Sequence, residues 1–283
     1  MKSLFLISIY FFSITTFANT SIWKIEKNNK TIYVGGTIHL LKESDYPLPT
    51  QYDSIYKLCN EVIFEADTRD LETPAGMQAL IKKIQLPDNI KLKTILSDTA
   101  YSLLKNEIEK AGMKISRFES FKPSFVILTL TMMQLQSIGV SATGVDKYYM
   151  NKGLKDEKKI SFLESGASQI DIIASMGDGH ENEMIFSSIQ EMELMKTDFE
   201  KMTLEWKNGS GQTIAKQMEE MKVEYPALYA DLLLNRNTAW LSIIQKELDD
   251  LETEFILVGT GHLVGPDSIL KLLENKGYTI TQL

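Results

Sequence analysis

One short phrase occurs twice in this chain and constrains it more than any other feature. Near the start stands Tyr33-Val34-Gly35-Gly36-Thr37-Ile38-His39-Leu40, and near the end Ile256-Leu257-Val258-Gly259-Thr260-Gly261-His262-Leu263. Both copies are an apolar, strand-like run that stops at Gly-Thr-x-His-Leu. A strand closed by a glycine turn leaves the next residues at its carboxyl end, where side chains face a crevice rather than the core. The chain has 3 histidines in all, and two of them hold the same place in this phrase. Histidine is the base and ligand most often used at neutral pH. The repeat therefore predicts that His39 and His262 meet in one site, as two walls of one crevice rather than as a duplicated domain.

Two more runs share the pattern of a strand that ends in an ionisable group. Glu61-Val62-Ile63-Phe64-Glu65 and Ile160-Ser161-Phe162-Leu163-Glu164 are compact, apolar and closed by glutamate, as buried strands are. In a largely parallel sheet the carboxyl ends lie along one edge, so His39, Glu65, Glu164 and His262 are expected to converge. Two imidazoles with one or two carboxylates suit a divalent metal such as Mn, Co or Zn. Without thiolates the site is not a structural zinc knot. The same group also works metal-free, one histidine acting as general base and a glutamate as its orienting partner. Ser165-Gly166 after Glu164 allows close backbone approach to a ligand. His180, in Gly177-Asp178-Gly179-His180-Glu181, reads as exposed and structural.

A helix expected from Pro226 to Asp250 carries an anomaly. Leu233, Leu241, Ile244 and Leu248 form an apolar stripe that Asn237 interrupts, and Arg236 falls between Leu232 and Trp240 in the adjacent stripe. Unpaired polar groups on a buried face cost about 1–3 kcal/mol. A site carboxylate, a substrate oxyanion or a structural glutamate would satisfy Arg236, and Asn237 would orient a ligand.

The rest of the chain supplies the frame. Ser21 to Glu26 and Thr31 to Gly35 alternate about Asn28-Asn29, which predicts a hairpin. Helices are expected over Thr50 to Cys59, with Ile55 and Leu58 inward, and over Pro74 to Ile84, with a brief extended piece after Pro87-Asp88-Asn89. Ser97 or Asp98 caps a helix that Gly112 closes. The helix after Pro123 is apolar nearly all round through Phe125, Leu128, Met132, Met133 and Leu135, and reads as core. Another opens at Gly144-Val145-Asp146 and stops at Gly153. From about Ser168 to Pro226 all is helix, rich in Glu, Lys and Met, which predicts an inserted lid or subdomain whose Met184, Met192 and Met195 are core or, if the protein binds a peptide signal without being an enzyme, adaptable contacts. A final helix starts at Pro266 and a last strand runs from Tyr278 to Thr281. Strands separated by helices make this an α/β chain, with a mixed, largely parallel sheet flanked by helices.

At 283 residues the chain is long enough for a sizeable core. Its net charge of −8, with no dense Lys/Arg block, argues against a nucleic-acid face. A short basic start, the apolar stretch Leu4 to Phe17 and small residues up to Ala18 read as a secretory signal cleaved after Ala18, which leaves no stable membrane anchor and a periplasmic or extracellular address. Cys59 is the lone cysteine, so no intrachain disulfide forms. Neither a Gly-x-Ser-x-Gly elbow, a His-Glu-x-x-His zinc motif nor a Walker loop occurs, and Gly35-Gly36 lacks the rest of a dinucleotide fingerprint.

Together, Gly36-Thr37-Ile38-His39-Leu40, the Glu65 strand, Gly144-Val145-Asp146, Leu163-Glu164 with Gln169, Arg236-Asn237 and Gly259-Thr260-Gly261-His262-Leu263 with Gly265 resemble the TraB/PrgY/GumN family over nearly all of the mature chain. That family includes the TIKI proteins, metal-dependent proteases that need Mn or Co, and is distantly similar to erythromycin esterases. The resemblance implies a catalytic centre of the two motif histidines and an acidic residue, and a peptide or small-molecule substrate. Ser165 stands where the family pattern leads one to expect threonine, a mild departure.

Overall fold

The fold is described from a computed structural model for residues 19–67, 69–140, 143–248 and 252–283. The N-terminal segment read as a signal, with its cleavage point, lies outside the described residues. The chain opens with strand β1 (Ile22–Lys27) and β2 (Lys30–Thr37), paired antiparallel with Ile25 opposite Ile32. Their turn is Asn28-Asn29, both at positive φ (53° and 63°), a conformation that asparagine tolerates and that suits the twist of a tight hairpin. Helix α1 (Thr50–Leu58), β3 (Glu61–Ala66), α2 (Pro74–Ile84) and the single turn α3 (Leu92–Ile95) follow. Then come α4 (Asp98–Lys110), α5 (Pro123–Ser137), α6 (Val145–Lys155) and β4 (Lys159–Glu164). The helical stretch is α7 (Gly166–Ser175), α8 (Glu181–Lys207) and α9 (Gln212–Glu224). The short α10 (Pro226–Tyr229) runs through a π-helical turn, Ala230–Leu234, into α11 (Asn235–Glu247). Strand β5 (Glu254–Gly259), α12 (Ile269–Glu274) and β6 (Thr279–Gln282) complete the chain.

Among the described residues the strands form one six-stranded sheet in the order β4-β3-β5-β2-β1-β6. The block β4-β3-β5-β2 is parallel, β1 runs antiparallel to β2, and β6 pairs antiparallel with β1 and so runs in the direction of the block. The fold is thus a mixed, mostly parallel α/β sheet with helical regions. Strand β5, which carries the second copy of the phrase, lies between β3 and β2, so the two copies are neighbours. They are slipped by one residue, with Gly36 opposite Val258 and Thr37 opposite Gly259. Because side chains alternate along a strand, a one-residue slip turns equivalent positions to opposite faces.

Each face of the sheet has its own core. On one side Val34, Ile63, Ile256 and Val258 pack against Trp240, Leu241, Ile244 and Leu248 of the α11 region, with Ile269 and Leu273 of α12. On the other, Val62, Phe64, Phe255 and Leu257 meet Tyr52, Ile55 and Tyr56 of α1, Val145 and Tyr149 of α6, and Trp206 of α8. A third core is purely helical, joining Leu104 and Ile108 of α4, Val126 and Leu130 of α5, and Ile185 and Ile189 of α8. The helical unit therefore draws on residues well before Ser168 as well as on the block expected from the sequence. Met184 is buried and Met192 packs partly buried against this core, as core methionines do.

Several local expectations are corrected. Leu58 is 57% exposed, because the inner face of α1 is set by Tyr52 and Tyr56 and Leu58 lies two residues, about 200°, away from Tyr56. Helix α5 is buried on one side only and leaves Leu128 on the surface. Gly153 does not stop α6, which runs on to Lys155; a Cβ there would come 3.3 Å from Ile160 Cδ1, so the glycine lets helix approach strand. The piece after Pro87-Asp88-Asn89 is the helical turn α3 rather than extended. The last helix begins at Ile269, where the Ser268 hydroxyl caps it, and not at Pro266. The end of the α11 region expected at Asp250 lies outside the described residues.

Trp206 ties the helical unit to the sheet. Its indole N–H donates to the Gly36 carbonyl (2.7 Å), which the Tyr52 hydroxyl also reaches (2.5 Å). Trp206 is fully buried whereas Leu204, two residues earlier, is 64% exposed. Trp206→Ala is therefore expected to lower the unfolding free energy by about 3–5 kcal/mol, and Leu204→Ala to stay within about 0.5 kcal/mol of the parent, as read by urea denaturation.

Candidate active site at the carboxyl edge of the parallel strands

The carboxyl ends of β2, β3, β4 and β5 share one edge, and the expected residues sit on it. Glu65 is the penultimate residue of β3 and Glu164 the last of β4; Ala66 pairs with Glu164 in the sheet. His39 lies two residues beyond β2. His262 lies in the single 3-10 turn Thr260–His262 after β5. The Thr260 hydroxyl donates to the Thr37 carbonyl (3.0 Å) and stitches the two turns together.

Arg236 occupies the centre. Its Nη2 donates to Glu65 Oε2 (2.7 Å) and Glu164 Oε1 (2.9 Å), and its Nε to Glu164 Oε2 (3.1 Å). Its Nη1 donates to the Leu232 carbonyl (3.1 Å) and faces His262 Nε2 at 3.1 Å. The guanidinium stacks over Trp240 (4.6 Å), whose indole N–H donates to Glu164 Oε2 (3.2 Å). Arg236, Glu65 and Glu164 are all nearly buried, with side chains 13%, 8% and 11% exposed.

Asn237 holds the other side of the same imidazole. Its Nδ2 donates to the Asp267 carbonyl (2.9 Å), which leaves its Oδ1 to accept from His262 Nδ1 (2.6 Å). An oxygen acceptor at Nδ1 and a guanidinium donor at Nε2 assign His262 as the neutral Nδ1–H tautomer. Burial pushes its pKa down to about 4, so at neutral pH it meets Glu65 (3.8 Å) as a dipole rather than a charge. Burial also works against ionisation of Glu65, but the two histidines, Arg236 and the Gly259 N–H (2.5 Å) outweigh it and hold the carboxyl below its usual range. Gln169 of α7 adds a weaker bond to Glu65 (3.3 Å).

His39 sits in a different setting. Its Nδ1 pairs with Asp146 (2.9 Å) in the first turn of α6, and its ring is 65% exposed. Asp146 raises the His39 pKa, a shift that water reaching the ring screens in part. Gly144 makes this contact possible: a Cβ there would come within 2.2 Å of the His39 carbonyl, and Val145 N–H bonds the Ile38 carbonyl (3.0 Å). Gly259 marks where the two settings meet. A Cβ at that position would lie 3.2 Å from Glu65 Oε1, 3.5 Å from His39 Nε2 and 3.8 Å from His262 Cδ2.

All six residues named from the sequence are thus on one edge. Asp146, Trp240 and the Gly259 N–H were not singled out as members of the site. Asp146 carried a signal in hindsight, an acid directly after a glycine in a helix start; a backbone N–H carries none. His180 is exposed and remote in role, as expected.

The donor set fits a divalent cation in part. Both motif histidines have Nδ1 held by an oxygen acceptor, as metal-binding histidines do, and Glu65 Oε1 is 3.8 Å from His262 Nε2, but that Nε2 already accepts from Arg236. Glu164 is held by Arg236 and Trp240, which bond both its oxygens; Glu65 likewise accepts at both, from the Gly259 N–H and from Arg236. His39, Glu65 and His262 are not drawn within 4.8 Å of one another, as Glu61, Glu252 and Glu254 are at the opposite edge.

Residues 21–282 match the TraB/PrgY/gumN family. The chain belongs to that family. It is also 24% identical over 151 residues, 53% of this chain, to the uncharacterized protein YbaP of Escherichia coli strain K12, and that match spans about half (54%) of the relative's length. No solved structure matches it significantly. In this member of the TraB/PrgY/gumN family, Arg236→Met should be the most disruptive single change at the site. It leaves two buried carboxylates without their shared guanidinium, at a cost of about 3–5 kcal/mol. In the native protein the depressed Glu65 carboxyl contributes stability above the usual carboxylate range that is lost as pH falls through its folded value. In the variant burial pushes the Glu65 carboxyl up, so the loss should be largest near pH 8 and shrink toward pH 5, as measured by denaturation across that range.

Proposed function

We propose that this protein is an exported hydrolase of carbonyl substrates, a peptide bond being the one that best suits it, and that His39, Glu65 and His262 hold a divalent cation of the Mn, Co or Zn class. What supports the reading is the approach of those three side chains to Gly259, with both histidines anchored at Nδ1; His39 offers its Nε2, and His262 would offer its own once the Arg236 N–H it now accepts had turned away. A divalent cation there supplies Lewis acidity, which activates water and polarises a carbonyl. The chain's own groups do the rest. Asp146 orients His39, and Asn237 keeps His262 in the tautomer that offers Nε2. Arg236 supplies fixed positive charge where negative charge develops, already desolvated and so stronger than in water. Gly259 leaves the space a substrate carbonyl needs.

A second reading has its own observation. Arg236 already places a cation 3.1 Å from His262 Nε2, so a metal-free hydrolase would use His39, whose protonated form Asp146 favours, as its general acid. Protein purified without chelators and analysed for metal content should hold a stoichiometric divalent ion, and His39→Ala and His262→Ala should each lose it. Hydrolysis of a peptide library supplied with Mn, Co or Zn should fall about 100-fold or more in each variant. Hydrolysis that survives EDTA selects the metal-free reading. Unchanged ion content and unchanged hydrolysis in both variants would sink the whole proposal.

A further inference from the structure

A groove of about 550 Å³ runs beside the site. One wall is the face of α7 that carries Asp171 and Ile172. The other is the π-turn and α11, with Asp231, Arg236 and Trp240, and Glu164 at the end of β4 lies between them. The spacing fits two helical faces: Ser168, Asp171, Ile172 and Ser175 fall at i, i+3, i+4 and i+7 on one side of α7, while Asp231 and Arg236 lie one widened turn apart. Glu164, Arg236 and Trp240 belong to both groove and site, so an occupant of the groove reaches the same guanidinium that serves the site.

The charge of this groove is lopsided. Among the described residues Arg236 is the one cation lining it, and two carboxylates, Glu65 and Glu164, already claim it. Asp171 is joined by Lys83 from α2, both well exposed. Asp231 meets a neutral amide, Asn235 Nδ2, at 3.4 Å. Negative charge is left over at the rim, above an apolar wall at Ile172. A carboxylate entering here meets net negative charge, because Arg236 is shared between Glu65 and Glu164 and Lys83 answers only Asp171. A long side chain with an apolar stem and a cationic tip answers both surfaces.

We propose that the groove is a specificity subsite for a lysine or arginine side chain of a peptide whose neighbouring bond lies over His39 and Glu65. This rests on the hydrolase reading for the identity of the bond, but not for the binding itself. The overall charge of −8 favours the approach of such a peptide.

The test is calorimetric titration with three blocked tripeptides, acetyl-Ala-Xaa-Ala-amide, in which Xaa is arginine, norleucine or glutamate. The arginine peptide should bind about fivefold tighter than the norleucine one, the glutamate peptide weakest of all, with the difference shrinking as salt is raised. The double variant Asp231→Asn with Asp171→Asn should erase the arginine preference and leave norleucine binding unchanged. Both positions are exposed and the replacements isosteric, and circular dichroism checks that the fold is kept. Equal binding of the arginine and norleucine peptides, a preference that survives the double variant, or no arginine binding at millimolar concentration would each overturn the assignment. Binding is read without turnover. A protein that prefers arginine yet hydrolyses nothing refutes the hydrolase reading and upholds the subsite.

Discussion

One guanidinium holds this edge of the molecule together. Arg236 bonds carboxylates from two strands, faces an imidazole beyond a third and rests on an indole from its own helix. Two buried carboxylates without it would each carry an uncompensated desolvation cost. With it, Glu65 stays anionic in a nearly closed setting, and the strand ends are fixed relative to α11. A lysine could not replace it, since only the planar fork reaches several acceptors at once.

The placement of Arg236 depends on an irregularity just before it. The π-turn Ala230–Leu234 closes with Asn235 N–H bonded to the Ala230 carbonyl, five residues back, and the Leu232 carbonyl accepts from the arginine's own Nη1. Single π-turns inside helices are rare and cluster at functional sites. Here the turn delivers two consecutive side chains to one imidazole, Arg236 at Nε2 and Asn237 at Nδ1. The chain thereby sets both the position and the tautomer of His262 from one helical segment, and the Asp267 carbonyl sets the amide that sets the tautomer.

Much of this edge could be read from the residues alone, for a physical reason. Parallel strands are buried on both faces, so they stand out as apolar runs, and an ionisable residue at the end of such a run is conspicuous. That is why His39, Glu65, Glu164 and His262 were found, and why Asn237 was visible as a break in an apolar stripe. Asp146 was passed over as a site residue because a carboxylate in the first turn of a helix is ordinary; what makes it special is Gly144, which lets the helix start press against the His39 turn. Which of Glu65 and Glu164 a metal would take stayed open, because spacing along a chain cannot say that one arginine will bond both. Which helices share the helical core was not legible, since α4 and α5 join α8 through residues some 60 to 85 positions apart in sequence.

The two copies of the phrase are the same letters with different fates. Had their strands paired in equivalent register, the two histidines would stand in like surroundings. The slip that puts Gly36 beside Val258 rather than Gly259 breaks that equivalence. His39 ends at the surface against a carboxylate that favours its protonated form. His262 ends buried beneath Arg236 and beside Trp240 (4.5 Å between rings), where burial favours its neutral form. Two groups of one type, pushed in opposite directions within one crevice, form the arrangement from which acid and base roles are made. A repeat that kept its symmetry could not offer it; the pair is unlike because the strands are slipped and because α6 meets the turn of His39 while α11 meets that of His262.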